Sequence, residues 1–214
     1  MDNEAHTYIV RRRGKPNIGV ESIDGSFWNS AEVLSDFQFP WEDNAPTDME
    51  FRALYDDDWL YCYFRVRDTN VLTYIRESKK EEVLFGDRVE IFFSVDRALR
   101  SYYCLEVDPN ARIYDYHASH YRKFNAAWQW PEGHLRTFTK TSQDGYEVIL
   151  SISRKSLKEL GLLHGETLTA GIFRGKCMEI SLTEDRMRWI SWIKPVSPFP
   201  DFHIPSAFGT LVLR

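Results

Sequence analysis

Glu90 lies in the run Asp87-Arg88-Val89-Glu90-Ile91-Phe92-Phe93. If that run is a β-strand, Val89, Ile91 and Phe93 share one face, and Arg88, Glu90 and Phe92 share the other. A strand with one face in a core needs only one apolar face. The carboxylate opposite it either meets solvent or meets a polar ligand lying across the sheet. Glu106 occupies an equivalent outward position in the next strand-like segment. Two carboxylates on neighbouring strands can accept hydrogen bonds from a polyhydroxylated ligand, or can act as the acid and base of a glycosidase. An open sheet face is poorly suited to the second task, because it neither excludes water nor raises the pKa of an acid.

Other side chains suit the same chemistry. Arg174 offers donors; a shift of one residue in register would present Phe173 in its place. Trp128 and Trp130 share a side if their segment is extended, and they form either a stacking platform or the cover of a sheet edge. His203 adjoins Phe202 in a proline-rich closing loop outside the expected core. Trp189 and Trp192, three residues apart, point to opposite faces of a strand, so one is core. His117 and His120 have metal-like spacing only on a helix, and the strand pattern before them argues against one.

The elements that position these residues are short strands separated by turn signals. Phe51–Tyr55 and Trp59–Val66 flank Asp56-Asp57-Asp58 as a hairpin. Val89–Val95, Tyr102–Asp108 and Arg112–Tyr116 follow. Leu135–Thr141 and Tyr146–Ser153 flank an Asp-Gly turn signal. Ser156–Leu160 is a short helix closed by Gly161. Thr167–Arg174, Arg188–Trp192 and Gly209–Leu213 complete the set. The pattern predicts an all-β fold: an antiparallel, jelly-roll-like β-sandwich with one short helix. No linker composition interrupts residues 1–214, which read as one domain. The expected core is Leu60, Cys62, Phe64, Val89, Ile91, Phe93, Leu105 and Val107.

Composition bounds the rest. With 27 basic and 32 acidic side chains, neither nucleic acid nor an anionic membrane is the expected partner. Three cysteines, an odd number without metal-like spacing, imply neither a disulfide framework nor a metal site. The opening MDNEAHTYIV has no apolar signal core, and no run of eighteen apolar residues occurs. The chain reads as soluble: extracellular or periplasmic if a leader was removed, otherwise cytoplasmic. Core packing accounts for many of the seven Trp and eleven Tyr, but these are also the side chains that stack on sugar rings.

Several segments, in order, resemble carbohydrate-binding module family 9. Ile23-Asp24-Gly25 followed by Trp28 resembles "IDG…W". ALYDDDWLYCYFRVRD (Ala53–Asp68) resembles "LYDDKYLYVAFRVED", and GDRVEIFFS resembles "DDSVEIFID". YYCLEVDPNARIYD (Tyr102–Asp115) resembles "YYELEVNPxGxxxD". GYEVILSISRKSL (Gly145–Leu157) resembles "GWxVEIAIPxxxL", and FHIPSAFGTLVL (Phe202–Leu213) resembles "FHxPxxFGxLxL".

The resemblance implies a non-catalytic domain that binds an oligo- or polysaccharide in a polysaccharide-degrading system, such as one acting on xylan. Members of the family clamp a terminal sugar between two aromatic rings. Carried over, the polar contact is Glu90. Glu106 stands where members can have Arg, and Phe202 where they have Trp. Phe85 is the aromatic nearest the missing second Trp. Structural calcium is common in the family, which makes Asp24 and Asp96 candidate ligands. A related architecture binds haem through Met, His or Lys, and Met49, Met178 and Met187 keep that alternative open.

Overall fold

The computed structural model describes residues 6–14, 25–42, 48–183 and 186–214. Thirteen strands and one short α-helix form the described fold. The strands are β1 (Thr7–Arg12), β2 (Met49–Tyr55), β3 (Trp59–Arg67), β4 (Arg88–Ser94), β5 (Tyr102–Val107), β6 (Ile113–Ser119), β7 (Lys123–Asn125), β8 (Leu135–Ser142), β9 (Gly145–Ser153), β10 (Leu163–His164), β11 (Thr167–Cys177), β12 (Met187–Ser191) and β13 (Gly209–Leu213). The helix α1 (Arg154–Glu159) starts where the Ser153 side chain accepts from the Ser156 N–H, and Gly161 follows it with a positive φ of 70°. No helix among the described residues is long and apolar enough to cross a membrane.

The strands form two packed layers. One runs β7-β6-β5-β4-β11-β13-β1 and the other β1-β2-β3-β9-β8. The long β11 holds β4 along one edge. Its other edge is shared by β13 near the start and β12 near the end. β1 joins the layers: Thr7–Val10 pair with β13 and Arg11–Arg12 with β2, both in parallel. The all-β sandwich with one short helix is therefore observed, and its departure from antiparallel order is this first strand. β1 was not expected because it runs into three consecutive arginines, Arg11 and Arg12 at its end and Arg13 just beyond, which hide the apolar pair Tyr8 and Val10.

The core between the layers contains all eight expected residues, from Leu60 to Val107. Alternation does this work directly, because every second residue of β3, β4 and β5 faces inward. The outer face of the β4–β5–β6 layer is also buried, under a second apolar cluster that includes Phe92, Cys104, Tyr116, Phe173 and Phe208. Residues after β12 and the 3-10 turn Lys80–Phe85 supply part of that cover. β4 is thus buried on both faces, which the strand pattern had assigned to only one.

Ile91, fully buried between the layers, reports on this packing. Ile91→Ala should lower unfolding free energy by about 2–5 kcal/mol, measured by denaturant titration. A loss below about 1 kcal/mol would contradict the inward placement of the Val89–Phe93 face.

Candidate functional site

A cavity of about 320 Å³ opens on the outer face of the β4–β5–β6 layer. This is at the small end of the range for small-molecule sites. Its floor is built from β4 and β5, where Glu90 and Glu106 are cross-strand partners. Arg88, two residues before Glu90 on the same face, lies between them. Its Nε donates to Glu106 Oε2 at 2.6 Å and stands 3.0 Å from Glu90 Oε1. Its terminal nitrogen donates to the Leu84 carbonyl at 2.9 Å. Tyr116 on β6 donates its hydroxyl to Glu106 Oε1 at 3.1 Å. Burial first, and the Glu106 carboxylate beside it, drive that phenol well above its ordinary pKa, so it remains a donor.

The three floor charges are almost out of solvent: Arg88 and Glu90 are 2 % exposed and Glu106 is 3 % exposed. Two glycines make room for this floor. A Cβ on Gly175 would lie 3.1 Å from the Arg88 guanidinium carbon, and one on Gly171 would lie 2.3 Å from the Phe173 ring.

Aromatic rings wall the cavity. Trp189 on β12 packs face-on to Arg88, with the guanidinium carbon 5.2 Å from the ring centroid. At the other margin of the strand order, Phe124 on β7 lies beneath Arg122 at 5.5 Å. Each arginine is therefore both stacked and ion-paired, because Arg122 also donates to Asp201 at 3.1 Å. Asp201 further accepts from the Tyr121 hydroxyl at 2.7 Å and from the His203 N–H at 2.9 Å. These bonds pin the covering loop to the β6–β7 turn. His203 stacks on Phe92 at 5.4 Å, meets Phe124 edge-on at 4.8 Å, and shares a hydrogen bond with the Tyr102 hydroxyl at 3.2 Å. Burial, and the Arg122 charge beyond it, lower its pKa to about 3.

Four of the candidate residues, Glu90, Glu106, Phe202 and His203, converge on this cavity. The others lie elsewhere. Phe173 is on the cavity face, but its ring lies under Phe202, stacked at 4.1 Å and 11°. That stack makes Phe202 a buried cover residue, not the detachable loop residue expected. Arg174 pairs with Val89 and faces the other side of β11, where it binds Asp68 and, at 3.1 Å, Asp87. Trp128 and Trp130 pack on Tyr103 against the core, and Trp130 donates to Ser156 at 3.1 Å. They are packing residues of the core, away from the cavity. Phe85 meets Tyr74 edge-on, and its neighbour Leu84 lines the cavity in its place.

Sequence reasoning did not select Arg88, Tyr114, Tyr116, Arg122, Phe124 or Asp201. Arg88 and Tyr116 were accessible through the alternation that picked Glu90 and Glu106. Arg122 and Asp201 come from loops whose approach no periodicity encodes. Asp24 lies outside the described residues. Both Asp96 oxygens accept from its own turn, including Arg100. His117 shares a 2.8 Å hydrogen bond with Ser101. Among the described residues no group of three or more His, Cys, Asp or Glu is placed to hold a metal ion.

The all-β sandwich thus carries, on one sheet face, a small, ring-walled cavity over a polar floor, which is a candidate site for a compact polar ligand. The profile of the family described as carbohydrate family 9 binding domain-like matches residues 22–214, and the chain belongs to that family. Among solved structures, a candidate carbohydrate-binding protein from Bacteroides uniformis ATCC 8492 superposes with a TM-score of 0.75 at 17% identity, covering 98% of this chain and 100% of its own. A carbohydrate-binding module family 9 from Caldicellulosiruptor kristjanssonii in complex with glucose gives 0.64 at 20% identity, with 98% and 96% covered. The same module with cellotriose gives 0.64 at 19%, with 98% and 94% covered. No curated protein sequence matches the chain.

Two outcomes follow from the floor. Arg88→Met leaves two buried carboxylates without their shared cation and should cost about 3–5 kcal/mol of stability near neutral pH. The deficit should shrink as pH falls and the carboxyls take up protons. A pH-independent deficit in urea titrations would contradict the pairing. His203 is held neutral, with a folded pKa of about 3 against an ordinary 6.5. Its contribution to stability is complete above about 6.5 and is lost as pH falls toward about 3. His203→Phe should flatten that part of the stability-versus-pH curve, although it sacrifices the Tyr102 hydrogen bond.

Proposed function

We propose that this domain binds a saccharide without turnover, and that the ligand occupies the cavity over Glu90 and Glu106. The observation that carries the reading is the floor–wall combination in a chain of this family. Buried carboxylates on stiff central strands accept sugar hydroxyls, and rings stand beside them to meet the C–H faces. Trp189 and Phe124, the partly exposed rings at opposite margins, take the stacking role proposed for the ligand's two faces. Arg88 supplies the guanidinium that family members can carry at the position of Glu106.

Glucose and cellotriose, the sugars held by the Caldicellulosiruptor module, are the first ligands to test. The small volume favours the terminal ring of an oligo- or polysaccharide over an internal stretch. A role in a polysaccharide-degrading system accompanies that proposal. Haem has less support, since none of Met49, Met178 and Met187 lines the cavity.

Calorimetry should detect binding of one of these sugars, and prolonged incubation should release no reducing ends. Glu90→Gln keeps the side-chain shape and removes a charge-assisted bond worth about 1.5–3 kcal/mol, or roughly ten- to a hundredfold in affinity. Phe124→Ala, half-exposed and outside the sandwich core, should weaken binding with little change in stability. Full affinity in both variants would place the ligand elsewhere.

A further inference from the structure

We propose that a second sugar subsite lies outside the cavity: the ring next to the bound terminal sugar rests against Tyr121 and Phe199 at the cavity mouth. This rests on the saccharide-binding reading above and adds where a longer chain continues.

Exposure locates the mouth. Of the residues that line the cavity, Arg122, Phe124 and Pro200 are the exposed ones. Arg122 and Phe124 come from the β6–β7 turn and β7, and Pro200 comes from the covering loop. Beside each edge of the opening the chain carries an exposed ring. Tyr121, next to Arg122, is 48 % exposed, and Phe199, next to Pro200, is 58 % exposed. Together with Phe124 they are the exposed Phe, Tyr and Trp side chains among the described residues. A single exposed apolar group is ordinary on a protein surface. The gathering of all these rings around one opening marks a binding surface.

Tyr121 is also held in place. Its hydroxyl donates to Asp201 at 2.7 Å, and the His120 ring meets it edge-on at 5.4 Å. A flat ring fixed this way loses little freedom when the C–H face of a sugar packs on it. Arg122, with its side chain 40 % exposed, offers guanidinium donors to hydroxyls at the same edge. The cavity, about 320 Å³, is at the small end of the range for small-molecule sites, so a second ring has to find its contacts outside. Neither Tyr121 nor Phe199 falls in a segment that resembles the family pattern, which makes this extension a property of this chain's own loops.

Calorimetric titration of the whole chain with glucose and cellobiose tests the subsite. Cellobiose should bind roughly three- to tenfold more tightly than glucose. Phe199→Ala and Tyr121→Leu each remove a flat ring and should bring the cellobiose-to-glucose affinity ratio toward one. Tyr121→Phe loses the Asp201 bond but keeps the ring, and should keep the ratio. The ratio compares two ligands on the same folded fraction, so an unstable variant does not move it. Equal affinity of the unaltered chain for both sugars overturns the subsite and leaves the cavity reading standing. A ratio that survives both ring-removing variants does the same, as does one that falls as far in Tyr121→Phe as in Tyr121→Leu. Reversible dimerisation in sedimentation runs, abolished by Phe199→Ala, would give the rings to a second copy of the chain and overturn the subsite too. Failure of both sugars overturns the saccharide reading together with it.

Discussion

Arg88, bonded to Glu90 and Glu106 on a sheet face closed to solvent, is the interaction around which the site is organised. Taking these charges out of water costs several kcal/mol per ion, and only close pairing and further hydrogen bonds offset it. The surrounding residues meet that demand. Tyr116 donates to Glu106, and the Leu84 carbonyl receives the Arg88 terminus. Trp189 covers the guanidinium, and Gly175 leaves space for it. A side chain at position 175 would disturb the carboxylates through Arg88 without touching a ligand.

The two faces of β4 divide the work. Val89, Ile91 and Phe93 pack between the layers, so their burial stiffens the strand. Arg88, Glu90 and Phe92 project from that stiff backbone into the cavity region. Side chains held this way have little freedom left to lose, which would favour affinity for a ligand bound there. The covering loop behaves differently, because it serves fold and site together. Phe202 closes the second apolar cluster by stacking on Phe173, while Asp201 ties the loop to Tyr121 and Arg122. Changes there would move stability and binding at once, whereas Phe124 at the margin separates them.

The resemblance singles out Glu90, which lies on the cavity floor, but what surrounds it differs from the resembled pattern. The resembled strand reads "DDSVEIF", with Ser where this chain has Arg88. The guanidinium thus stands beside Glu90 on its own strand, and a second carboxylate occupies the neighbouring one. The aromatic partner is relocated as well. Leu84 and Phe85 stand near the missing Trp, and Trp189 from β12 provides a ring on that side of the floor. A shared fold therefore carries different side chains on this floor.

By itself the sequence determined most of the longer strands, their inward faces and the Glu90–Glu106 pair, but not β1, β7 or β10, because alternation of period two is a local property that only a longer segment displays. Leu60, Cys62 and Phe64 on β3, and Val89, Ile91 and Phe93 on β4, were legible for that reason. The Asp-Gly turn and the Ser153 cap marked β8–β9 and α1 equally locally. Only the tertiary structure decided the rest. It set the register of β11, which puts Phe173 under the loop and turns Arg174 away. It packed Trp128 and Trp130 on Tyr103 against the core, and it buried the outer face of β4. It also brought Arg122, Asp201 and His203 together from segments about eighty residues apart. Local periodicity cannot encode that meeting, because it depends on where a proline-rich loop crosses the sheet, and the crossing is fixed by the Phe202–Phe173 stack and the Asp201 bonds.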